Sequence, residues 1–263
     1  MTQDLLYEQI PINFGFYLKK TLDNFIIGNN QDLYKSLISV CDTNQLILIY
    51  GAKSSGKSHI SEAMMHLKLN NCIQINQNTD FDDILLSDYY DLVVIDDIDK
   101  IIPNQKNEEI LFTLIDNQIL HKKSSVVTST ADVENCSITL KDLISRLQSD
   151  KIFNINDLND EDKIKLMMFY CSERGLEVPE KEINYIINNC SRDLYFLCAF
   201  IKTIDKTSLS MKKKITIPFI KKVISKLAGY IFILLIICAN LFPYDIQISF
   251  SSDVNSLFWL WAT

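Results

Sequence analysis

Short apolar runs alternate with amphipathic stretches through the first 156 residues. Leu46–Tyr50 (LILIY), Cys72–Ile75, Leu92–Ile95, 124–128 and 151–155 are strand-length runs bounded by polar residues. Such lengths suit buried parallel strands. Between them, 31–40 and 107–121 carry helical spacing, the latter with Leu111, Leu114, Ile115 and Ile119 on its buried side. Residues 57–69 place Ile60, Met64 and Leu67 at i, i+4, i+7, and 142–147 form a further helix. Residues 80–87 predict one or two helical turns. The alternation predicts an α/β domain over 21–156, built on a five-stranded parallel sheet.

At Asp157 the pattern becomes helical only. Asn159 with Asp162 reads as a capping-box-like start, and Arg174-Gly175 as a glycine stop with a cation in the last turn. Arg174 is therefore expected to be structural. Pro179 opens a helix reaching about Cys190, another carries Ser191-Arg192-Asp193-Leu194 to about Lys206, and Pro218 starts a last one through Lys226. Residues 157–226 thus predict a small all-α lid.

With 48% hydrophobic residues the chain can bury a substantial core, and a net charge of −7 argues against broad nucleic-acid coating. Seven cysteines without a C-x-x-C pair fit free thiols in a reducing cytoplasm. The three histidines lack zinc-ligand spacing, and no secretory signal opens the chain. Of 26 basic residues only Arg146, Arg174 and Arg192 are arginines. Where lysine is so preferred, arginine persists best where a planar fork is needed.

The run Leu46–Tyr50 stops at Gly51 and enters Gly51-Ala52-Lys53-Ser54-Ser55-Gly56-Lys57-Ser58, a complete G-x-x-x-x-G-K-S phosphate loop between a strand and a helix. Small residues let backbone N–H groups close around phosphate oxygens, and the following helix aims its positive end at the same charge. Lys57 would reach the β and γ phosphates, and the Ser58 hydroxyl would take one Mg²⁺ position. The strand Leu92–Ile95 ends in paired acids. Asp96 would support Mg²⁺, and Asp97 would orient or activate water. Thr128-Ser129-Thr130 ends the next strand, where a hydroxyl, that of Thr130, would sense the γ phosphate or its water or else serve as an ordinary turn hydroxyl. Arg146 lies on the helix before the last strand, where it would either form a salt bridge or act on phosphate.

Two segments stand apart. Pro11 favours an extended chain in which Ile10, Ile12 and Phe14 alternate onto one face. Residues 1–20 would then tuck against the domain as a strand or dock into a partner. Residues 227–242 contain a single strongly polar residue, Asn240, after Lys221, Lys222 and Lys226. That stretch is short of the ~20 residues a spanning helix needs. A membrane segment, an interfacial anchor, a core helix and a frame-shifted tail stay open for 227–263, so the expected location is cytoplasmic with membrane association open.

The phosphate loop, Ile95-Asp96-Asp97, Ser145-Arg146-Leu147 and the helical lid together resemble the DnaA clade of AAA+ ATPases. Within that clade the similarity is greatest to Hda-like proteins, over about 9–226. It is most specific at 9–14, 142–147, 158–163, 176–180 and 215–219. The resemblance implies ADP or ATP with Mg²⁺ as cofactors. It implies a nucleotide site of Gly51, Ser54, Ser55, Gly56, Lys57, Ser58, His59, Ile27 and Arg192. Arg192 is the lid arginine nearest the sensor-2 position, although a gapless alignment puts Tyr195 there. Hda-like proteins open with a hexapeptide that binds the DNA polymerase sliding clamp (its β subunit), which implies that role for Gln9, Ile10, Ile12 and Phe14. The family provokes hydrolysis of ATP held by DnaA, with Arg146 matching its trans-acting arginine finger. DNA would then be met only through the clamp, and a homodimer remains an open partner. The alternatives are an autonomous ATPase or initiation accessory protein without clamp binding, and a membrane-tethered scaffold.

Overall fold

Alternate residues of the central strands face opposite layers, and this sets the architecture. In the computed structural model, which describes residues 19–67, 69, 71–84, 90–102 and 105–227, the first strand is β1 (Leu46–Tyr50). Its Leu46 and Leu48 join a core with Val93, Ile95, Leu111, Leu114, Leu143 and Leu147. Its Ile47 and Ile49 join another with Leu92, Val94, Leu33, Leu37, Ile60 and Met64. The helices α1 (Gln31–Thr43) and α2 (Lys57–Met64) cover that second face. The first face is covered by α3 (Ile98–Ile101), α4 (Gln105–Leu120) and α5 (Lys141–Leu147). A strand apolar on both faces is stable only when both are covered, which is the parallel α/β arrangement.

With β2 (Cys72–Ile75), β3 (Leu92–Ile95), β4 (Ser124–Ser129) and β5 (Lys151–Asn154), the sheet is five-stranded and parallel in the order β2-β3-β4-β1-β5. The register aligns the C-terminal tips. Tyr50 lies opposite both Ser129 and Asn154, and Ile95 lies opposite Val127 and Ile75. The tips of β1, β3 and β4 therefore lie along one edge, where ligands of open α/β sheets bind.

The chain divides between Asn159 and Asp160 into two units. The second holds α6 (Asp160–Glu173), α7 (Glu180–Asn189), α8 (Leu194–Met211) and α9 (217–227). Met167, Ile183, Ile186, Leu197, Phe200, Ile204, Phe219, Ile220 and Val223 form its core. Gly175 takes φ 67°, and Leu176 N–H donates to Cys171 O at 2.9 Å, a left-handed stop for α6. Arg174 donates to Asp205 through Nε (3.2 Å) and Nη2 (2.8 Å) with its guanidinium over Tyr170, the structural role its position implied.

Several boundaries differ from expectation. The spacing of Leu67 extends α2 on paper, but His66 N–H and Leu67 N–H turn back to Ala63 O and Met64 O, ending it at Met64. α8 starts one residue after Asp193, whose carboxylate accepts from Phe196 N–H at 2.8 Å, so Arg192 precedes the helix. It continues past Lys206 to Met211, with the Thr207, Ser208 and Ser210 hydroxyls turned back onto carbonyls of their own helix. Among the described residues no helix is long and apolar enough to cross a membrane. Gln9, Ile10, Ile12 and Phe14 and the tail beyond Leu227 lie outside the described residues.

Candidate nucleotide site

The loop between β1 and α2 has the shape that its glycines permit. A Cβ on Gly51 would sit 2.4 Å from Ile155 Cγ2 and 3.1 Å from Ile155 O, so only glycine allows β5 to end so close to the loop. Gly56 caps α2 at φ 105°, a conformation that L side chains rarely adopt. Ser54 takes a left-handed conformation as well, at φ 67°.

Lys57 is 5% exposed, and its Nζ donates to Gly51 O and Ala52 O at 2.8 Å each. Burial pushes its ammonium pKa down, against the pull of the Asp97, Asp99 and Asp96 carboxylates. The Ser55 hydroxyl is buried without a hydrogen-bond partner. A cation curled onto its own loop carbonyls and an orphaned hydroxyl beside it fit a phosphate group, which satisfies both.

The acid pair follows the tip of β3, separated from β1 by β4 in the sheet. Asp96 Oδ1 accepts from Ser61 Oγ at 2.8 Å and from Thr128 Oγ1 at 2.9 Å. Thr128 Oγ1 in turn accepts from Asp97 N–H at 2.8 Å, so one buried hydroxyl joins β4 to both acids. Asp97 has φ 52° and pairs with Lys100 at 2.5 Å. Thr130 is exposed and donates from N–H and Oγ1 to Asp99, not to Asp96 or Asp97. Burial raises the Asp99 pKa, but hydrogen bonds from Thr130, from its own backbone and from Ser129 together outweigh it, and the net shift is downward. Ser58 is exposed at the start of α2. Its hydroxyl and the Asp96 carboxylate are hard oxygen donors of the kind Mg²⁺ takes.

The segment before α1 lies across α2. His59 Nε2–H donates to Thr21 O at 2.9 Å, and its ring meets Phe25 at 5.6 Å between centroids. Lys20 pairs with Glu62 at 2.7 Å. Ile27 accepts from Asn30 N–H and Nδ2, and Asn30 exchanges two hydrogen bonds with the Asn156 backbone, at 3.1 and 2.7 Å. Sequence reasoning missed Asn30 and Ser61, and took Thr130 rather than Thr128 from the strand-end triplet Thr128-Ser129-Thr130. Ser61 left a signal, one helical turn after Lys57.

Arg146 ends α5, 45% exposed, and pairs with Asp116 of α4 at 2.8 Å. Glu108, 2% exposed on the same helix, accepts from Thr139 N–H, Thr139 Oγ1 and Leu140 N–H and so fixes the start of α5. Arg192 belongs to the helical unit, largely exposed, with Asp160 at 3.5 Å.

Residues 160–224 match the family model described as "Hda, lid domain". An uncharacterized protein of Haemophilus influenzae is 30% identical over 229 residues, covering 83% of this chain and 99% of that protein. Domain III of the Thermotoga maritima replication initiation protein DnaA superimposes with a TM-score of 0.70 at 18% identity, covering 80% of this chain and 97% of that one. AMPPCP-bound DnaA from Aquifex aeolicus gives 0.61 at 20% identity, covering 72% and 66%.

Proposed function

The chain belongs to the Hda/DnaA-related AAA+ proteins, and from that premise we propose that it is a regulatory member acting on the ATP of another subunit. In this reading it binds adenine nucleotide, holds the DNA polymerase sliding clamp through Gln9, Ile10, Ile12 and Phe14, and stimulates ATP hydrolysis by DnaA. Re-initiation of replication is thereby restrained, in the cytoplasm.

The observation that carries the reading is the placement of Arg146. The phosphate loop follows the C-terminal tip of β1, whereas Arg146 precedes the N-terminal end of β5, its parallel neighbour. The two lie at opposite edges of one sheet. With ~3.3 Å per strand residue, that is a strand length apart. A guanidinium there is poorly placed for its own nucleotide and suited to a neighbour's.

The resident nucleotide would be held by Lys57 and the loop residues Gly51, Ser54, Ser55, Gly56 and Ser58, with Ile27 and His59 as further contacts. Ser58 and Asp96 would hold Mg²⁺, which screens phosphate charge when bound. Asp97 orients water and Thr130 senses the γ phosphate. Arg146 neutralises charge developing on the partner's phosphoryl group, which its planar fork suits better than a lysine.

The test mixes this protein, DNA-loaded clamp and ATP-bound DnaA and follows conversion to ADP. Stimulation is expected, with loss when Gln9 and Phe14 are both changed to Ala. No stimulation by the unmodified chain overturns the proposal.

A further inference from the structure

Charge is unevenly placed along this acidic chain. Residues 194–227 carry eight lysines against a single acid, Asp205. That acid is buried and engaged by Arg174, so it neutralises none of them. Residues 160–193 run the other way, with eight acids against five basic residues. The helical unit is thus acidic in its first two helices and basic in its last two.

On α8 the geometry lines the charges up. Leu197, Phe200, Ile201 and Ile204 are buried in the core of the unit. Its outer face exposes Tyr195, Ala199, Lys202, Lys206 and Leu209, at intervals of four, three, four and three residues. Such spacing is one line along a helix. The helix stops at the left-handed Lys212 (φ 49°), and exposed Lys212, Lys213 and Lys214 cluster just past its end. Lys221, Lys222 and Lys226 are exposed on α9. A face that is merely solvated mixes both signs; this one has none of the opposite sign.

We propose that the outer face of α8, with Lys202 and Lys206 in line and Lys213 just past its end, binds the phosphate backbone of duplex DNA independently of sequence. Lysine ammonium groups act as point charges that neutralise phosphates without reading bases. At 1.5 Å per residue the helix is ~27 Å long, about eight steps of one DNA strand. A membrane surface suits it less. An interfacial helix needs a continuous apolar face, and the apolar face of α8 is spent on the core, leaving Tyr195, Leu209 and Met211 as its exposed large apolar side chains. The surface goes beyond the clamp-mediated reading, because it gives the chain a DNA contact of its own.

The test titrates the full chain into a labelled duplex of about 20 base pairs while salt is varied. The variant changes Lys202, Lys206 and Lys213 together to Gln, which keeps the aliphatic stem and the helix propensity. Wild type is expected to bind with steep salt dependence, unchanged when the duplex sequence is scrambled. The variant should bind roughly tenfold or more weakly near 0.1 M salt, with a log–log slope shallower by about 2.7, at ~0.9 per lost phosphate contact. Changing Lys35 and Lys141 of the other unit to Gln should alter neither quantity. The proposal is overturned by absent duplex binding in wild type, or by equal affinity and slope in the triple variant. It is equally overturned if wild type binds anionic phosphatidylglycerol vesicles in preference to the duplex.

Discussion

Arg146 Nη2 lies 2.8 Å from Asp116 Oδ1, a single-point pair that ties the end of α5 to α4. One nitrogen of the fork makes that pair, and the proposed finger role draws on the guanidinium's other donors. Because both side chains are partly exposed, the pair contributes less than ~1 kcal/mol. Arg146→Ala should therefore leave the melting temperature and nucleotide affinity nearly unchanged. It should lower the stimulated hydrolysis by DnaA roughly 10³-fold, the low end of what arginine fingers supply. Arg146→Lys should fail as well. Full stimulation by either variant, followed as ADP formed per unit time, removes the finger assignment.

Thr128 is the hydroxyl on which the acid pair depends. It donates to Asp96 Oδ1 and accepts from Asp97 N–H, and it is fully buried. Thr128→Val keeps the shape and removes both bonds, leaving an N–H without its acceptor. A buried polar group so orphaned costs about 1–3 kcal/mol. Urea unfolding should report that loss, and Thr128→Ser should recover most of it. A valine variant as stable as wild type would show that water replaces the hydroxyl.

The His59 contact with the segment before α1 carries a pH dependence. Burial lowers its imidazole pKa below 6.5, although donation to Thr21 O opposes this. The unfolded chain then binds a proton that the folded one refuses. Stability is complete above pH 6.5, falls as pH drops below it, and levels off once the folded pKa is passed. Between pH 7.5 and 5.5 the melting temperature should fall more steeply for wild type than for His59→Gln. Equal slopes would mean that another group carries the effect.

Most of the first unit could be read from apolar runs, because a strand covered on both faces must be apolar at every position, as Leu46–Ile49 and Leu92–Ile95 are. β5 was legible for another reason, its place after the Arg146 helix; as an edge strand it alternates, with Ile152 exposed. The phosphate loop and Asp96-Asp97 were plain from spacing. Thr128, Ser61 and Asn30 were not, since each acts through a partner 31, 35 or 126 positions away. Periodicity carries no information at that range. The α8 lysines were hidden differently. Net charge averages a chain, and −7 overall conceals a segment with eight lysines and one acid.

Lys57 gives the sharpest separation of binding from folding. Its ammonium is buried and its pKa lowered by that burial, so the charge itself works against the folded state. The two carbonyl contacts, to Gly51 O and Ala52 O, offset this at about 1 kcal/mol each. Lys57→Met keeps the stem and removes both the buried charge and its two donations to the loop carbonyls. Without nucleotide the variant should stay close to wild type in stability, the relieved burial and the lost contacts having opposite signs. With ATP or ADP at a thousandfold excess over Kd, wild type should gain ~4 kcal/mol, and the variant almost none. Thermal unfolding with and without nucleotide measures both. An undiminished ligand-induced shift in Lys57→Met would overturn the phosphate-binding role of the loop, whereas a variant that melts far below wild type without ligand would mark Lys57 as a structural residue first.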